Sequence, residues 1–282
     1  MSLPRFTAAD LHSHALREAW EQDGVVVLED FVSTNSIETL RRRASQLRED
    51  CARAAPHAVF DASEQAHGSD AWFRDSGEDI RAFFEPHVPP GLTPSERPRW
   101  VNKLGHALHD LDTVFDEALR HPDIAALVTR LGCSDPRLVQ SMVIFKEAGL
   151  GDAVPSHQDA TFLATDPPSV IGFWLALDRA TPENGALEVA RGAHRGPLRC
   201  RYRREHDELR MDTLSDAPVP GTWTTIEAEP GTLVAFHGLL PHRSGPNRST
   251  EPRWAVTMHV VNGRAHWCDD NWLVRKTPFR GF

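Results

Sequence analysis

Within Ser156-His157-Gln158-Asp159-Ala160-Thr161-Phe162 a histidine and a carboxylate stand two positions apart, in a segment that reads as extended. In a strand, residues i and i+2 point to the same face, so one imidazole and one carboxylate would converge on one point. That is two-thirds of the 2-His-1-carboxylate triad that holds non-haem Fe(II) and leaves positions open for oxygen and substrate. The pair alone carries little weight. With 15 histidines and 40 acidic residues among 282, about two His-x-Asp/Glu matches are expected from composition. His206-Asp207-Glu208, in a charged stretch, reads as such a surface match.

Two candidates for the third ligand follow in Leu233-Val234-Ala235-Phe236-His237-Gly238-Leu239-Leu240-Pro241-His242-Arg243-Ser244. Both His237 and His242 have an arginine eleven positions later, Arg248 and Arg253, so spacing does not choose between them. Local pattern does. Arg248 lies in the turn-like Pro246-Asn247-Arg248-Ser249-Thr250, whereas Arg253 opens the alternating Arg253-Trp254-Ala255-Val256-Thr257-Met258-His259. An inward arginine at a strand start can grip a carboxylate bidentately, which favours His242 with Arg253. His237 then reads as a strand-end histidine with a backbone partner.

The elements that must position these residues change character along the chain. Helical spacing marks 7–23, ended by Asp23-Gly24, and 33–50, where Asn35 and Glu38 fit a capping box and Arg41-Arg42-Arg43 a solvated face. A further helix is expected over about 112–131, with Gly132 as its stop. Val25-Val26-Val27-Leu28 reads as a buried strand. Residues 53–100, rich in Pro, His and charge, read as loops around a short helix near 77–85, and an irregular stretch this long suggests a lid.

From about 138 short strands dominate: 138–145, then near 157–163, 170–178, 185–190, 224–229, 232–237, 241–244 and 253–261, with turn chemistry between them. Helices followed by many short strands point to an α+β fold, and the strand count fits a double-sheet jelly roll. We expect one domain over 1–282, with a helical part to about 135 and a jelly-roll core from about 136.

Composition narrows the function classes. The formal charge of −9 argues against nucleic acid as a partner. No apolar run approaches a membrane span, and Met1-Ser2-Leu3-Pro4-Arg5-Phe6 lacks the apolar core of a signal peptide. Cys51, Cys133, Cys200 and Cys268 form no CxxC pair and read as reduced thiols. A cytoplasmic protein acting on a small molecule is the expectation.

Taken in order, His157-Gln158-Asp159, Phe173-Trp174-Leu175-Ala176-Leu177-Asp178-Arg179-Ala180-Thr181-Pro182-Glu183-Asn184-Gly185, and His242-Arg243-Ser244 with Asn247 and Arg253 resemble the phytanoyl-CoA dioxygenase family. The N-terminal half resembles the branch called phytanoyl-CoA dioxygenase domain-containing proteins. The matching stretches there are Gln22-Asp23-Gly24, Gly68-Ser69, Ser76-Gly77, Ile80-Arg81, Phe83-Phe84-Glu85, Asn102-Lys103-Leu104-Gly105-His106-Ala107-Leu108-His109 and Gln140-Ser141-Met142-Val143-Ile144-Phe145-Lys146.

The resemblance implies a double-stranded β-helix and an Fe(II)- and 2-oxoglutarate-dependent dioxygenase, which turns 2-oxoglutarate and O2 into succinate and CO2 while oxidising a substrate. Carried over residue by residue, it implies His157, Asp159 and His242 as iron ligands and Lys103, Met142, Trp174 and Arg253 as contacts to 2-oxoglutarate. Relatives that halogenate lack the carboxylate, so Asp159 points to hydroxylation or another oxidation. A non-catalytic 2-oxoglutarate or metal sensor on the same fold is the alternative. The cluster Arg199, Arg201, Arg203 and Arg204 reads either as a solvated connection or as a rim for an anionic group.

Overall fold

The computed structural model describes residues 3–56, 58–59, 71–206 and 208–282. Met1, Ser2, Gly68, Ser69, Asp207 and the part of the expected lid at 57 and 60–70 lie outside the described residues. In chain order the strands are β1 (Arg5–Phe6), β2 (Val25–Leu28), β3 (Ile80–Phe84), β4 (Val101–His106), β5 (Pro136–Lys146), β6 (Val154–His157), β7 (Thr165–Asp166) and β8 (Ile171–Ala176). They continue as β9 (Leu187–Ala190), β10 (Cys200–Glu205), β11 (Glu208–Thr213), β12 (Trp223–Ile226), β13 (Leu233–His237), β14 (His242–Ser244), β15 (Arg253–Asn262) and β16 (His266–Trp267). The helices are α1 (His14–Asp23), α2 (Thr34–Ala54), α3 (Ala71–Arg74), α4 (Leu108–Leu111), α5 (Thr113–Leu119) and α6 (Pro122–Arg130).

The expected α+β jelly roll is the fold observed. A large sheet runs β1-β2-β13-β8-β15-β5-β4-β3, and a smaller one runs β12-β9-β14-β6. Alternation along each strand sorts the side chains to two faces. On β8, β13 and β15, Trp174, Val234, Phe236 and Ala255 pack against Leu187, Val189, Ile226 and Leu240 of the smaller-sheet side. Phe173, Leu175, Ala235, Val256 and Met258 of the same strands pack on the opposite face with Leu16, Leu40, Leu47, Phe115 and Leu127 from the helices. The large sheet is thus buried on both faces, which is why Val25-Val26-Val27-Leu28 is a continuous apolar run.

Several expectations need correction. Residues 80–84 form strand β3, not a helix. Ala82 and Phe84 face the helices, while Phe83 joins Phe73 and Trp272, so burial on both faces leaves no alternation to read. With β1, β2 and β4, this strand brings the N-terminal part into the large sheet. The segment expected as a helix over 112–131 is α5 and α6, divided at Pro122, which sits at the first position of α6. Helix α2 is capped by Ser33, which accepts from the Ser36 amide, rather than by Asn35. Arg41 and Arg43 are not on a free face: they pair with Asp178 and Asp112. The strand expected near 157–163 ends at His157, and Asp159–Thr161 is a 3-10 turn. At 23–24 the reading holds, since Gly24 closes α1 with φ +73°.

Candidate metal centre

β6 and β14 are neighbours in the smaller sheet, and His157 lies opposite His242 in their antiparallel register. The ring centroids are 4.2 Å apart. Asp159 follows one extended residue later and reaches the same point from the start of the 3-10 turn. Each of the three offers a ligand atom within 4.8 Å of the others, the arrangement a metal ion needs.

The two imidazoles are oriented by the same local device. His157 Nδ1–H donates to the Pro155 carbonyl at 2.9 Å, and His242 Nδ1–H donates to the Leu240 carbonyl at 3.0 Å. In each case the acceptor lies two residues upstream, and it forces the Nε2 lone pair inward. These Nε2 atoms lie 3.9 and 3.5 Å from Asp159 Oδ1. Burial alone would raise the Asp159 carboxyl, but His259, His242 and then His157 outweigh it and hold the group well below the usual carboxylate range. Burial, followed by the charge of His242, lowers His157 to about 4. Near neutral pH the donor set is therefore one carboxylate and a neutral His157, with His242 fixed in the matching tautomer. That is the chemistry of a non-haem iron site.

Gln158 anchors the connection that follows β6. Its side-chain amide donates to the Pro197 and Leu239 carbonyls, and its Oε1 accepts from the Arg199 amide at 2.8 Å. The residue between the two ligands thus ties their turn to both flanking connections.

His237 is elsewhere. Its Nδ1 accepts from the Leu239 amide at 3.0 Å, the opposite tautomer to the other two. Its ring packs on Trp20 and His194.

The triad opens into a cavity of about 520 Å³ whose wall includes Lys103, Met142, Trp174 and Arg253. Arg253 is 2% exposed, and its Nη2–H donates to the Gly185 carbonyl at 2.9 Å. Its Nε has no partner among the described residues. Its guanidinium carbon lies 5.6 Å from the Trp174 ring centroid. Burial lowers Arg253 to about 9, so near neutral pH it is a buried cation facing the cavity. Lys103, on β4, is also buried, with its ammonium over Phe73 and Phe83. Burial drives it well below the ordinary lysine range.

Two features escaped the sequence reading. His259, 5% exposed, places Nε2 3.2 Å from Asp159 Oδ2, close but without the alignment of a hydrogen bond. Its signal was available: counting in twos from Arg253 gives Thr257 and His259, and all three line the cavity. Gly172 lies beneath the same carboxylate, and a Cβ there would stand 2.2 Å from Oδ2.

The four arginines of the 199–204 stretch are engaged within the protein. Arg201, Arg203 and Arg204 pair with Asp270, Asp212 and Asp75, and Arg199 donates to the Ala217 and Pro218 carbonyls. Among the described residues no helix is long and apolar enough to cross a membrane.

Comparison with known proteins finds relatives along most of the chain. A protein from Arabidopsis thaliana named phytanoyl-CoA dioxygenase is 35% identical over 261 residues, covering 91% of each chain. Phytanoyl-CoA dioxygenase domain-containing protein 1 of Bos taurus is 36% identical over 287 residues, covering 93% of this chain and 94% of its own. Among solved structures, EctD from S. alaskensis with bound Fe superposes with a TM-score of 0.67 at 19% identity, over 95% of this chain and 83% of that one. The epimerase SnoN, in complex with Fe3+, alpha ketoglutarate and nogalamycin RO, gives 0.64 at 17% identity, over 92% and 86%. The phytanoyl-CoA dioxygenase family model matches residues 20–255, ligand triad and cavity arginine included, and the chain belongs to that family.

Proposed function

We propose that this protein is an Fe(II)- and 2-oxoglutarate-dependent dioxygenase that hydroxylates or otherwise oxidises a small organic substrate. The observation that carries this reading is the convergence of His157, Asp159 and His242, with both histidine tautomers preset, on a cavity that also holds the buried cation Arg253. His157 Nε2, Asp159 Oδ1 and His242 Nε2 would hold the iron. Arg253 would take the distal carboxylate of 2-oxoglutarate through a charge-assisted hydrogen bond. Lys103 lies on the same cavity wall, Trp174 gives an apolar face, and Met142, on β5 in register with Gly105 of β4 and Thr257 of β15, lines the cavity between them.

When bound, the iron supplies the oxidative chemistry that couples O2 and 2-oxoglutarate to succinate, CO2 and an oxidised substrate. The chain's own part is to present the Nε2 atoms of two oriented imidazoles and to hold the cosubstrate's charge. Apolar residues of the outer cavity, among them Phe162, Tyr202, Met211 and Trp272, would seat a largely apolar substrate portion. The four cysteines are unpaired, as suits the cytoplasmic setting we propose.

The test is anaerobic titration of the Fe(II)-loaded protein with 2-oxoglutarate, followed by admission of air. A visible charge-transfer band and subsequent succinate release are expected, with release stimulated by the right substrate in a screen of small molecules. A band without succinate under every substrate would identify a sensor instead. No band would remove the metal and cosubstrate reading altogether.

A further inference from the structure

We infer that His259 is a positioning residue that assigns the two oxygens of Asp159 to different tasks, so that the carboxylate binds metal through Oδ1 alone. This rests on the metal centre proposed above. Oδ1 faces the Nε2 atoms of His157 and His242 at 3.9 and 3.5 Å. Oδ2 points the other way, to His259 Nε2 at 3.2 Å. On that side the carboxylate is also walled in by Gly172, where a Cβ would come within 2.2 Å of Oδ2, and by Phe236, which would be 2.5 Å from the same Cβ. Oδ2 is thus in a slot made by β8 and β15, and His259 presents a ring nitrogen to it there.

The strands explain why His259 can do this. His259 pairs with Gly172 across β8–β15 and with Gln140 across β5–β15, at the centre of the large sheet. A side chain from a central strand, 5% exposed, has little freedom, and the absence of a side chain at its cross-strand neighbour leaves room for Asp159 to reach in. A carboxylate able to rotate could offer both oxygens to a metal and occupy a coordination position that the reaction needs open. A ring nitrogen that the sheet keeps 3.2 Å from Oδ2 would, by turning its N–H to that oxygen when metal binds, oppose the rotation and orient the ligand oxygen, the task that partners of metal-binding carboxylates perform.

The test uses Co(II) as a spectroscopic probe, added anaerobically to the full-length wild-type protein and to His259→Leu, His259→Asn and His259→Gln. Glutamine can carry an N–H about as far from the backbone as histidine Nε2, whereas asparagine cannot. His259→Leu and His259→Asn should weaken Co(II) binding by about 10–100-fold and shift the visible ligand-field bands. His259→Gln should restore affinity and spectrum towards those of the wild type. Thermal melting of each variant checks folding, and the Asn–Gln comparison decides if the leucine variant does not fold. Equal affinity and identical spectra for Gln and Asn would overturn the inference. So would unaltered binding in His259→Leu. Failure of the wild type itself to bind Co(II) would overturn the metal-centre reading on which this one rests.

Discussion

His157 and His242 stand directly opposite each other across the β6–β14 ladder, each with Nδ1–H given to a carbonyl two residues upstream. One pair of strands therefore fixes both the separation and the tautomer of the two imidazoles. Asp159 needs only one extended residue, Gln158, to join them. Because the arrangement is set by backbone pairing, the centre is preorganised before any metal arrives.

The separation of roles between His242 and His237 is directly testable. His242→Ala should abolish stoichiometric Fe(II) or Co(II) binding, measured anaerobically by absorbance or calorimetry. His237→Ala should leave metal affinity unchanged and cost about 1 kcal/mol of stability, through lost packing on Trp20 and the lost bond from the Leu239 amide. The reverse outcome would assign the third ligand to His237.

Arg253 is set to act on cosubstrate affinity more than on chemistry. It is buried, and among the described residues it donates to the Gly185 carbonyl alone, so removing it takes a buried cation from the cavity wall. Arg253→Ala should raise the KM for 2-oxoglutarate by about 10–100-fold, as expected for a lost charge-assisted hydrogen bond, with a smaller change in kcat. Arg253→Lys should recover part of the affinity, because lysine keeps the charge and loses the planar fork. Steady-state succinate release against 2-oxoglutarate concentration reads both; an unchanged KM in Arg253→Ala would remove the residue from the site.

The triad and the strand-rich C-terminal half were legible because chemistry and turn residues leave local marks. The strand-start Arg253, set against the turn-borne Arg248, favoured His242 over His237, and the fold brings His242 beside His157 and Asp159. The rest was not local. Residues 80–84 carry apolar side chains on both faces, since one face meets the helices and the other meets Phe73 and Trp272, so no period distinguishes strand from helix. His259 required knowing which face of β15 is inward, and Gly172 required knowing that Asp159 descends on it. The placing of β2 beside β13, and of β4 beside β5, depends on pairings between strands far apart in sequence.

The C-terminal segment is held by a charge network centred on Asp110. Its Oδ1 accepts from Arg120 and Arg280 at 3.0 and 2.9 Å, and its Oδ2 accepts from Arg275 at 2.5 Å. Burial would raise this carboxyl, but His109 and Arg275 outweigh it and hold it well below the usual range. The Arg275 side chain is only 5% exposed, so Asp110→Asn would leave a buried cation without its main counter-charge. A loss of about 3 kcal/mol is expected, read from the urea midpoint. A loss under about 0.5 kcal/mol would instead place the network among screened surface pairs.

Glu85 gives the protein a pH dependence of defined sign. It is 2% exposed, its Oε2 accepts from Asn102 Nδ2 at 2.9 Å, and its Oε1 has no partner among the described residues. Burial raises its pKa from 4.5 to about 7, against the opposing effects of Asn102 and Lys146. As pH rises through this window the unfolded chain releases a proton that the folded chain retains, so this contribution to stability is present below 4.5 and is lost by about 7. Lys146, lowered to about 7 chiefly by burial, acts in the next window: the unfolded chain keeps its proton there and the folded chain does not, so stability recovers as pH rises towards 10.5. Glu85→Gln keeps an acceptor for Asn102 and removes the first effect. Relative to wild type, the variant should be more stable at about pH 8 than at about pH 5, by on the order of 3 kcal/mol. Melting temperatures of the two proteins across this range measure the difference. A difference that does not change with pH would show that Glu85 titrates as an ordinary carboxylate and that its buried environment is relieved in solution.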